Sequence, residues 1–191
     1  HAMAHHAYLG YRDHRAVEPL LRSAKRYWAQ YATRQTVRAA QSVNEVVASL
    51  PDPHEFTAQR AEALLLLAQA RQVTGSLEQA EAALMEAGEL VRQCEDDTLV
   101  ARIATASATL SLMQGDHREG SLQFALARAA WERIGDSTRV AQALVGMGLC
   151  AQESGDDDRA LELYLDAARD ETAEAWAKAA AVNNAGVILL E

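Results

Sequence analysis

Proline is scarce in this chain of 191 residues: Pro19, Pro51 and Pro53 are the only three, and none follows Pro53. An internal proline removes a helical N–H and clashes with the preceding turn, so nothing beyond residue 53 forbids helix. Cysteine is scarcer still. Cys94 and Cys150 stand 56 residues apart without CxxC or Cys/His ligand spacing, which excludes a disulfide framework and the common zinc sites. They read as one junction thiol and one buried thiol, and reduced thiols fit the cytoplasm. Aromatic residues make up 5% of the chain and only Lys25 and Lys178 are lysine among 18 basic residues, an arginine bias that reads as a GC-rich genome. No apolar run approaches the roughly 18 residues that cross a bilayer, and Ala63-Leu64-Leu65-Leu66-Leu67-Ala68 reads as a buried helix. The start, His1-Ala2-Met3-Ala4-His5-His6, is too polar for a signal peptide, and its first three residues look like a cloning scar. A cytoplasmic bacterial protein is the expectation.

Chemical motifs are missing too. No nucleophile elbow, Walker sequence or Ser/His/Asp order is present, so no enzyme activity is expected. His14, His54 and His117 are isolated, and His1, His5 and His6 sit at a loose end where metal binding is adventitious. Asp156-Asp157-Asp158 lacks the alternate ligands, later glycine and closing glutamate of a calcium loop, and reads instead as helix capping that complements the dipole. Gly146-x-Gly148 has no preceding strand and no third glycine, which makes it helix packing rather than a phosphate loop. No cofactor and no metal site are expected.

Charge is uneven along the chain. Residues 1 to 60 hold eight Lys/Arg against five Asp/Glu, whereas residues 61 to 191 hold ten against 22, within an overall formal charge of −9. Phosphate binding depends on clustered Lys and Arg, so the acidic part argues against nucleic acid and anionic membrane as partners.

What is present is helix-forming and periodic. Hydrophobic residues reach 49%, heavily Ala and Leu, which favours helix throughout. Gly75, Gly115 and Gly155 fall at a spacing of 40 residues, each between two amphipathic stretches, and a fixed period of this size marks stacked supersecondary units. Superposed on those glycines, the preceding helices align Leu64, Leu67, Ala68 and Arg71 with Ala104, Ser107, Ala108 and Ser111, and with Leu144, Met147, Gly148 and Ala151. The following helices align Ala80, Leu84 and Ala87 with Gly120, Phe124 and Ala127, and with Ala160, Tyr164 and Ala167. Tiny residues let helix axes approach while a large one between them fills the gap.

This small-large-small pattern resembles the tetratricopeptide repeat over roughly residues 58 to 191. The closest stretch is Leu144-Val145-Gly146-Met147-Gly148-Leu149-Cys150-Ala151 followed by Gly155-Asp156-Asp157-Asp158-Arg159-Ala160-Leu161-Glu162-Leu163-Tyr164. The usual unit has about 34 residues and a closing proline, whereas this period is longer and lacks one; a period near 40 also borders HEAT and armadillo arrays, the alternative helical-hairpin reading. The extra residues fall around Gln93–Thr98 and Arg133–Thr138, where Asp, Ser or Thr supply N-cap chemistry and the chain is expected to turn.

The expected architecture is all-α, a right-handed superhelical solenoid of antiparallel helix pairs. Residues 1–11 read as a tag or poorly ordered start, and 12–191 as a single solenoid. Its units are a degenerate repeat over 18–53, repeats over 58–97, 98–136 and 137–170, and a half repeat over 172–191. In the degenerate unit the first helix covers Glu18 to Tyr31, Arg34 stands where the turn glycine would be, and Ala39, Val43 and Val46 before Pro51 mark the second helix. In the half repeat Val182, Ala185, Gly186 and Leu189 match a first helix. The chain therefore reads as a fragment of a larger protein whose C-terminal helix contacts another copy or a neighbouring domain.

In such arrays the first helix of each pair lines the concave surface. Transfer by spacing assigns Glu62, Leu65, Gln69 and Gln72 to that lining, then Arg102, Thr105, Thr109 and Met113, then Gln142, Val145, Leu149 and Gln152, with Asn183 and Val187 in the half unit. The family's carboxylate clamp needs Lys, Arg and Asn at points that here hold Leu65, Gln69, Ala106, Gln142 and Gly146, which argues against a C-terminal carboxylate ligand of that kind. Amides that bond a backbone, beside Met113, Val145 and Leu149 as apolar receptors, suit an extended or helical peptide. Long-repeat versions look like the sensor regions of bacterial regulators. The resemblance implies a regulatory protein-interaction module of a larger signalling or transcription-regulating protein, with a small-molecule sensor or a free-standing scaffold as alternatives.

Overall fold

The computed structural model describes residues 13–169 and 172–190; the tag-like start at residues 1–11 lies outside them. Nine α-helices and two short 3-10 turns make up the regular structure of the described residues, with no strand among them. The helices are α1 (Val17–Ala29), α2 (Thr33–Ala48), α3 (Thr57–Val73), α4 (Leu77–Val91), α5 (Asp97–Gln114), α6 (His117–Ile134), α7 (Ser137–Glu153), α8 (Asp157–Arg169) and α9 (Ala175–Leu190).

One turn design is used repeatedly. Gly75, Gly115, Gly135 and Gly155 adopt φ between 75 and 79°, the left-handed region that a Cβ disfavours. At Gly115 the glycine N–H donates to Leu112 O at 3.1 Å and the next N–H, of Asp116, reaches back to Ser111 O at 2.9 Å. This pair of bonds satisfies the last carbonyls of a helix, a Schellman closure. The residue after the glycine then opens the following helix: Asp116, Asp136 and Asp156 each accept a backbone N–H three residues on, from Glu119, Arg139 and Arg159 at 3.0 to 3.1 Å. Two residues thus stop one helix and start the next, and Asp156 is the cap while Asp157 and Asp158 sit in the first turn of α8.

Gly135 shows that the handover after α6 is the same two-residue turn as those within pairs. The chain turns there as expected, and the residues beyond an ordinary unit lengthen the helices, α5 and α6 running 18 residues each. Between α4 and α5 the connection is longer, with Asp96 accepting the Leu99 N–H at 2.9 Å. The degenerate first pair keeps the closure without the glycine. Tyr31, not Arg34, takes the left-handed position at φ 56°, with Tyr31 N–H on Trp28 O and Ala32 N–H on Tyr27 O. Arg34 lies one residue inside α2.

The chain divides into two compact units between Leu99 and Val100, inside α5. In the first, α1 through α4 pack against their chain neighbours, and α1 also meets α3. Leu20, Leu21, Val43, Val47 and Leu84 fill its interior, and every residue from Ala63 to Ala68 of α3 is buried. Lys25 of α1 pairs with Glu62 of α3 at 2.6 Å, and Arg60 of α3 pairs with Glu86 of α4.

In the second unit, α6 packs on α7, α7 on α8, and α8 on α9, with α9 also reaching α7. Ala101 and Ala104 of α5 meet Ala127, Ala130 and Trp131 of α6. Ala160 and Tyr164 of α8 meet Ala185 of α9. The glycines of α7 are sites of close approach. A Cβ at Gly148 would lie 2.4 Å from the ring of Tyr164, and one at Gly146 would lie 2.5 Å from the ring of Phe124. The Tyr164 ring is fully buried, and its hydroxyl donates to Gln152 Oε1 at 2.9 Å.

Candidate functional site

Within the second unit an open cleft of about 370 Å3 lies among α5, α6, α7 and α9. Thr105, Thr109 and Leu112 contribute from α5, and Phe124 and Trp131 from α6. Arg139, Gln142, Ala143, Val145, Gly146 and Leu149 contribute from α7, and Trp176, Ala177 and Ala180 from α9. Its walls are thus aromatic and aliphatic, with a few polar groups at fixed places, the usual make-up of a ligand-binding concavity.

Each polar group is positioned by the local fold. The Asp136 cap sets the first turn of α7, and Arg139 leaves that turn with its guanidinium 5.8 Å above the Trp131 ring, within cation–π range. Arg139 also donates from Nη1 to Gln142 Oε1 at 3.2 Å. Trp131 itself is buried, and its indole N–H points at Thr105 Oγ1 across 3.5 Å. The hydroxyl hydrogens of Thr105 and Thr109 are already used by helix carbonyls, those of Ala101 and Thr105 at 2.7 and 2.9 Å. The two threonines therefore offer acceptor lone pairs and methyl groups, but no free donor. Gly146 has no side chain to keep the Phe124 ring off the backbone, so the floor of the cleft is an aromatic ring lying on a helix.

The rim on α9 is strapped to the start of α7. Thr172 donates to Ser137 at 2.8 Å, and the Glu174 N–H donates to Thr138 Oγ1 at 3.0 Å. The Glu174 carboxylate in turn accepts the indole N–H of Trp176 at 2.6 Å, which fixes an indole that is 52% exposed at the cleft edge. Arg139 alone carries charge among the cleft-lining residues, and among the described residues no carboxylate pairs with it.

Of the residues that spacing assigned to a concave lining, Thr105, Thr109, Gln142, Val145 and Leu149 come together at this cleft. Met113 is exposed on α5 and Asn183 on α9, both away from the cleft, and Arg102 is half-buried on α5 outside it. Gln152 holds the Tyr164 hydroxyl, a packing role. Gln69 and Gln72 are half-buried on α3 of the first unit; Leu65 is fully enclosed there, and Glu62 is in its ion pair with Lys25. Transfer by spacing missed Trp131, Arg139, Phe124 and Trp176. Phe124 and Trp131 lie on a second helix, which the transfer did not sample, and Arg139 and Trp176 lie in the first turn of theirs. A signal was available in composition, since two of the chain's three tryptophans meet here.

Burial raises the Tyr164 phenol to about 12, although an interaction with Asn184 works the other way. Burial likewise pushes up the Cys150 thiol, and that of Cys94 with help from Asp96. All three groups are biased toward their protonated forms, the reverse of what an activated nucleophile at neutral pH requires. No group of three or more His, Cys, Asp or Glu side chains is placed to hold a metal ion among the described residues. No helix among them is long and apolar enough to cross a membrane.

No protein-family model matches the sequence, and no curated protein matches it. Solved structures do. The chain is similar to BtubC (BKLC) from P. vanneervenii, with a TM-score of 0.76 at 15% identity over 92% of this chain and 72% of that one. It is similar to the apo form of RapI, with a TM-score of 0.71 at 13% identity over 79% of this chain and 54% of RapI, so it spans about half of that protein. The likeness is one of fold: an all-α array of helix pairs, like the tetratricopeptide-like helical repeats of these neighbours.

Proposed function

We propose that this chain is a protein-interaction module, the sensing part of a larger cytoplasmic bacterial regulator, and that it holds a peptide or protein segment against the inner helices α5, α7 and α9. The observation that carries this reading is the cleft itself: a preformed concavity with Phe124, Trp131 and Trp176 as walls and Arg139 and Gln142 as directional groups. Large rigid aromatics supply contact area at low entropic cost, and a few polar groups set orientation, which is how peptide-binding surfaces obtain affinity and register. Thr105, Thr109, Val145 and Leu149 complete the same surface. Within the second unit Arg102, Met113, Gln152 and Asn183 extend it only if a segment runs past the cleft, and Gln69 and Gln72 of α3 belong to the first unit as separate candidates.

The test is binding of an immobilised peptide library to the purified chain, compared with an Ala180→Trp variant that fills the cleft from an exposed position. Retention of the same peptides by the variant would move the binding surface elsewhere.

A second contact is proposed for the outer face of α9. Val182, Leu189 and Leu190 are exposed there at 58, 69 and 90%, while Ala177, Ala181 and Ala185 face inward. Burying such a stripe against another copy of the chain stabilises by roughly 25 cal/mol per Å2 of apolar surface removed from water.

A further inference from the structure

Resting on the reading of the cleft as a peptide site, we infer that its ligand is a segment with one large apolar side chain, aromatic or branched, beside a single carboxylate. The apolar group enters between Trp131 and Trp176 above the Phe124 ring; the carboxylate meets Arg139.

The size of the cleft sets the first part. At about 370 Å3 it stands at the small end of binding cavities, room for one anchor rather than an extended ligand. Its lining has no carboxylate, and the hydroxyl hydrogens of its threonines are already bonded to helix carbonyls. A hydrogen-bond-accepting side chain inserted there, away from Arg139 and Gln142, would find no free hydroxyl donor and lose its own hydrogen bonds.

Arg139 sets the second part. Its backbone N–H is held by the Asp136 cap, but its guanidinium lies over Trp131, donates to the neutral amide of Gln142, and has no carboxylate paired with it among the described residues. Three other arginines of the unit are paired with carboxylates: Arg128 with Glu132, Arg159 with Glu162 and Arg169 with Asp166. A guanidinium over an indole keeps its remaining N–H groups as a planar fork, the geometry that takes a carboxylate through two parallel hydrogen bonds.

The surrounding charge sets the limit of one. Residues 100–191 hold eight Lys/Arg against fourteen Asp/Glu, so the field around the cleft is negative and a run of acidic residues would be repelled beyond the reach of Arg139.

The experiment is selection of phage-displayed random octapeptides on the intact chain and on Arg139→Glu and Ala180→Trp variants, with helicity checked by circular dichroism. Synthetic peptides from the winning pool are then measured by fluorescence polarisation. The expected pool pairs Phe, Trp, Leu or Ile with one neighbouring Asp or Glu. Arg139→Glu is expected to keep the apolar preference, exchange the acid for Lys or Arg, and weaken the original peptides by roughly tenfold or more, the scale of a lost charge-assisted pair. Ala180→Trp is expected to abolish enrichment. Peptides enriched without an acidic residue, or enriched equally on Arg139→Glu, would overturn the assignment while leaving an interaction module in place. Enrichment that survives Ala180→Trp would do the same by taking the ligand out of the cleft. If indole-3-acetate or 3-phenylpropionate alone competed as strongly as the peptides, the ligand would be a small carboxylic acid and the peptide assignment would fall. If no peptide were enriched on the intact chain, both this inference and the interaction-module reading would fail together.

Discussion

Gly148 and Gly88 make a matched pair, both inside helices, and they should respond oppositely to the same change. A Cβ at Gly148 would lie 2.4 Å from Cε1, 2.7 Å from Cδ1 and 3.0 Å from Cζ of Tyr164, a ring that is fully buried and tethered by its hydroxyl to Gln152. A Cβ at Gly88 of α4 would meet nothing within 4 Å. Replacing glycine by alanine in a helix interior gains about 0.8–1.0 kcal/mol of propensity at either site. At Gly148 the overpacking of a tethered ring costs about 1–3 kcal/mol against that gain. Gly88→Ala is therefore expected to stabilise by somewhat under 1 kcal/mol, and Gly148→Ala to be neutral to about 2 kcal/mol destabilising. Their difference removes the propensity and isolates the clash, about 1–3 kcal/mol, or roughly 2–10 °C in Tm for a chain of this size. Urea and thermal unfolding followed at 222 nm measure both. A third arm repeats Gly148→Ala in a Tyr164→Leu background, where the clash is gone and the substitution should carry only the propensity gain. If Gly148→Ala and Gly88→Ala stabilised equally, the close approach of α7 and α8 would be refuted, and with it the alignment of small and large positions.

Tyr31→Gly should be as stable as the parent or more so by up to about 1 kcal/mol in urea melts, because a left-handed tyrosine costs roughly 1–2 kcal/mol and the added chain entropy of glycine offsets part of the relief; Tyr31→Val should destabilise. Asp136→Ala removes the cap of α7 and should cost about 1 kcal/mol in the same melts, with a smaller effect on Arg139-dependent peptide capture than Arg139→Glu itself. For Tyr164 the folded phenol titrates near 12 against an ordinary 10, so the folded state favours the protonated form. Its contribution is complete below pH 10 and is lost as pH rises from 10 through 12; Tyr164→Phe should be less stable by about 1 kcal/mol at neutral pH, through the lost bond to Gln152, yet decline less steeply over that interval. If α9 pairs with another copy, light scattering should show a mass that grows with concentration and returns to one chain in Leu189→Arg; a single chain mass at every concentration would exclude it.

The parts of this fold that could be read from sequence are those where one residue type is forced by backbone geometry. Three glycines spaced by 40 announced three left-handed helix ends, and the aspartate after two of them announced the next cap. Gly148 against Tyr164 was legible for the same reason, since only a missing side chain admits a ring at that distance. Tyr31 was not legible. Its left-handed turn is imposed by the packing of α1 on α2 and by the two closure bonds, and nothing in the residue itself announces that. The turn at Gly135-Asp136 was legible from the Asp, Ser and Thr before the next apolar run, but the sequence placed the extra residues of the period at that junction, whereas α5 and α6 run 18 residues each. The cleft failed in a third way. Lining positions carried over by spacing lie on first helices, where a regular period repeats them, and five of them do meet. The groups that give the cleft its chemistry, Trp131, Arg139 and Trp176, come from a helix end and two helix starts. The turn between them recurs but these side chains do not, Val91 and Leu99 standing 40 residues before Trp131 and Arg139, so the periodic pattern does not announce them. The recurring small residues hold the helices together; what the surface selects is decided by the residues that do not recur.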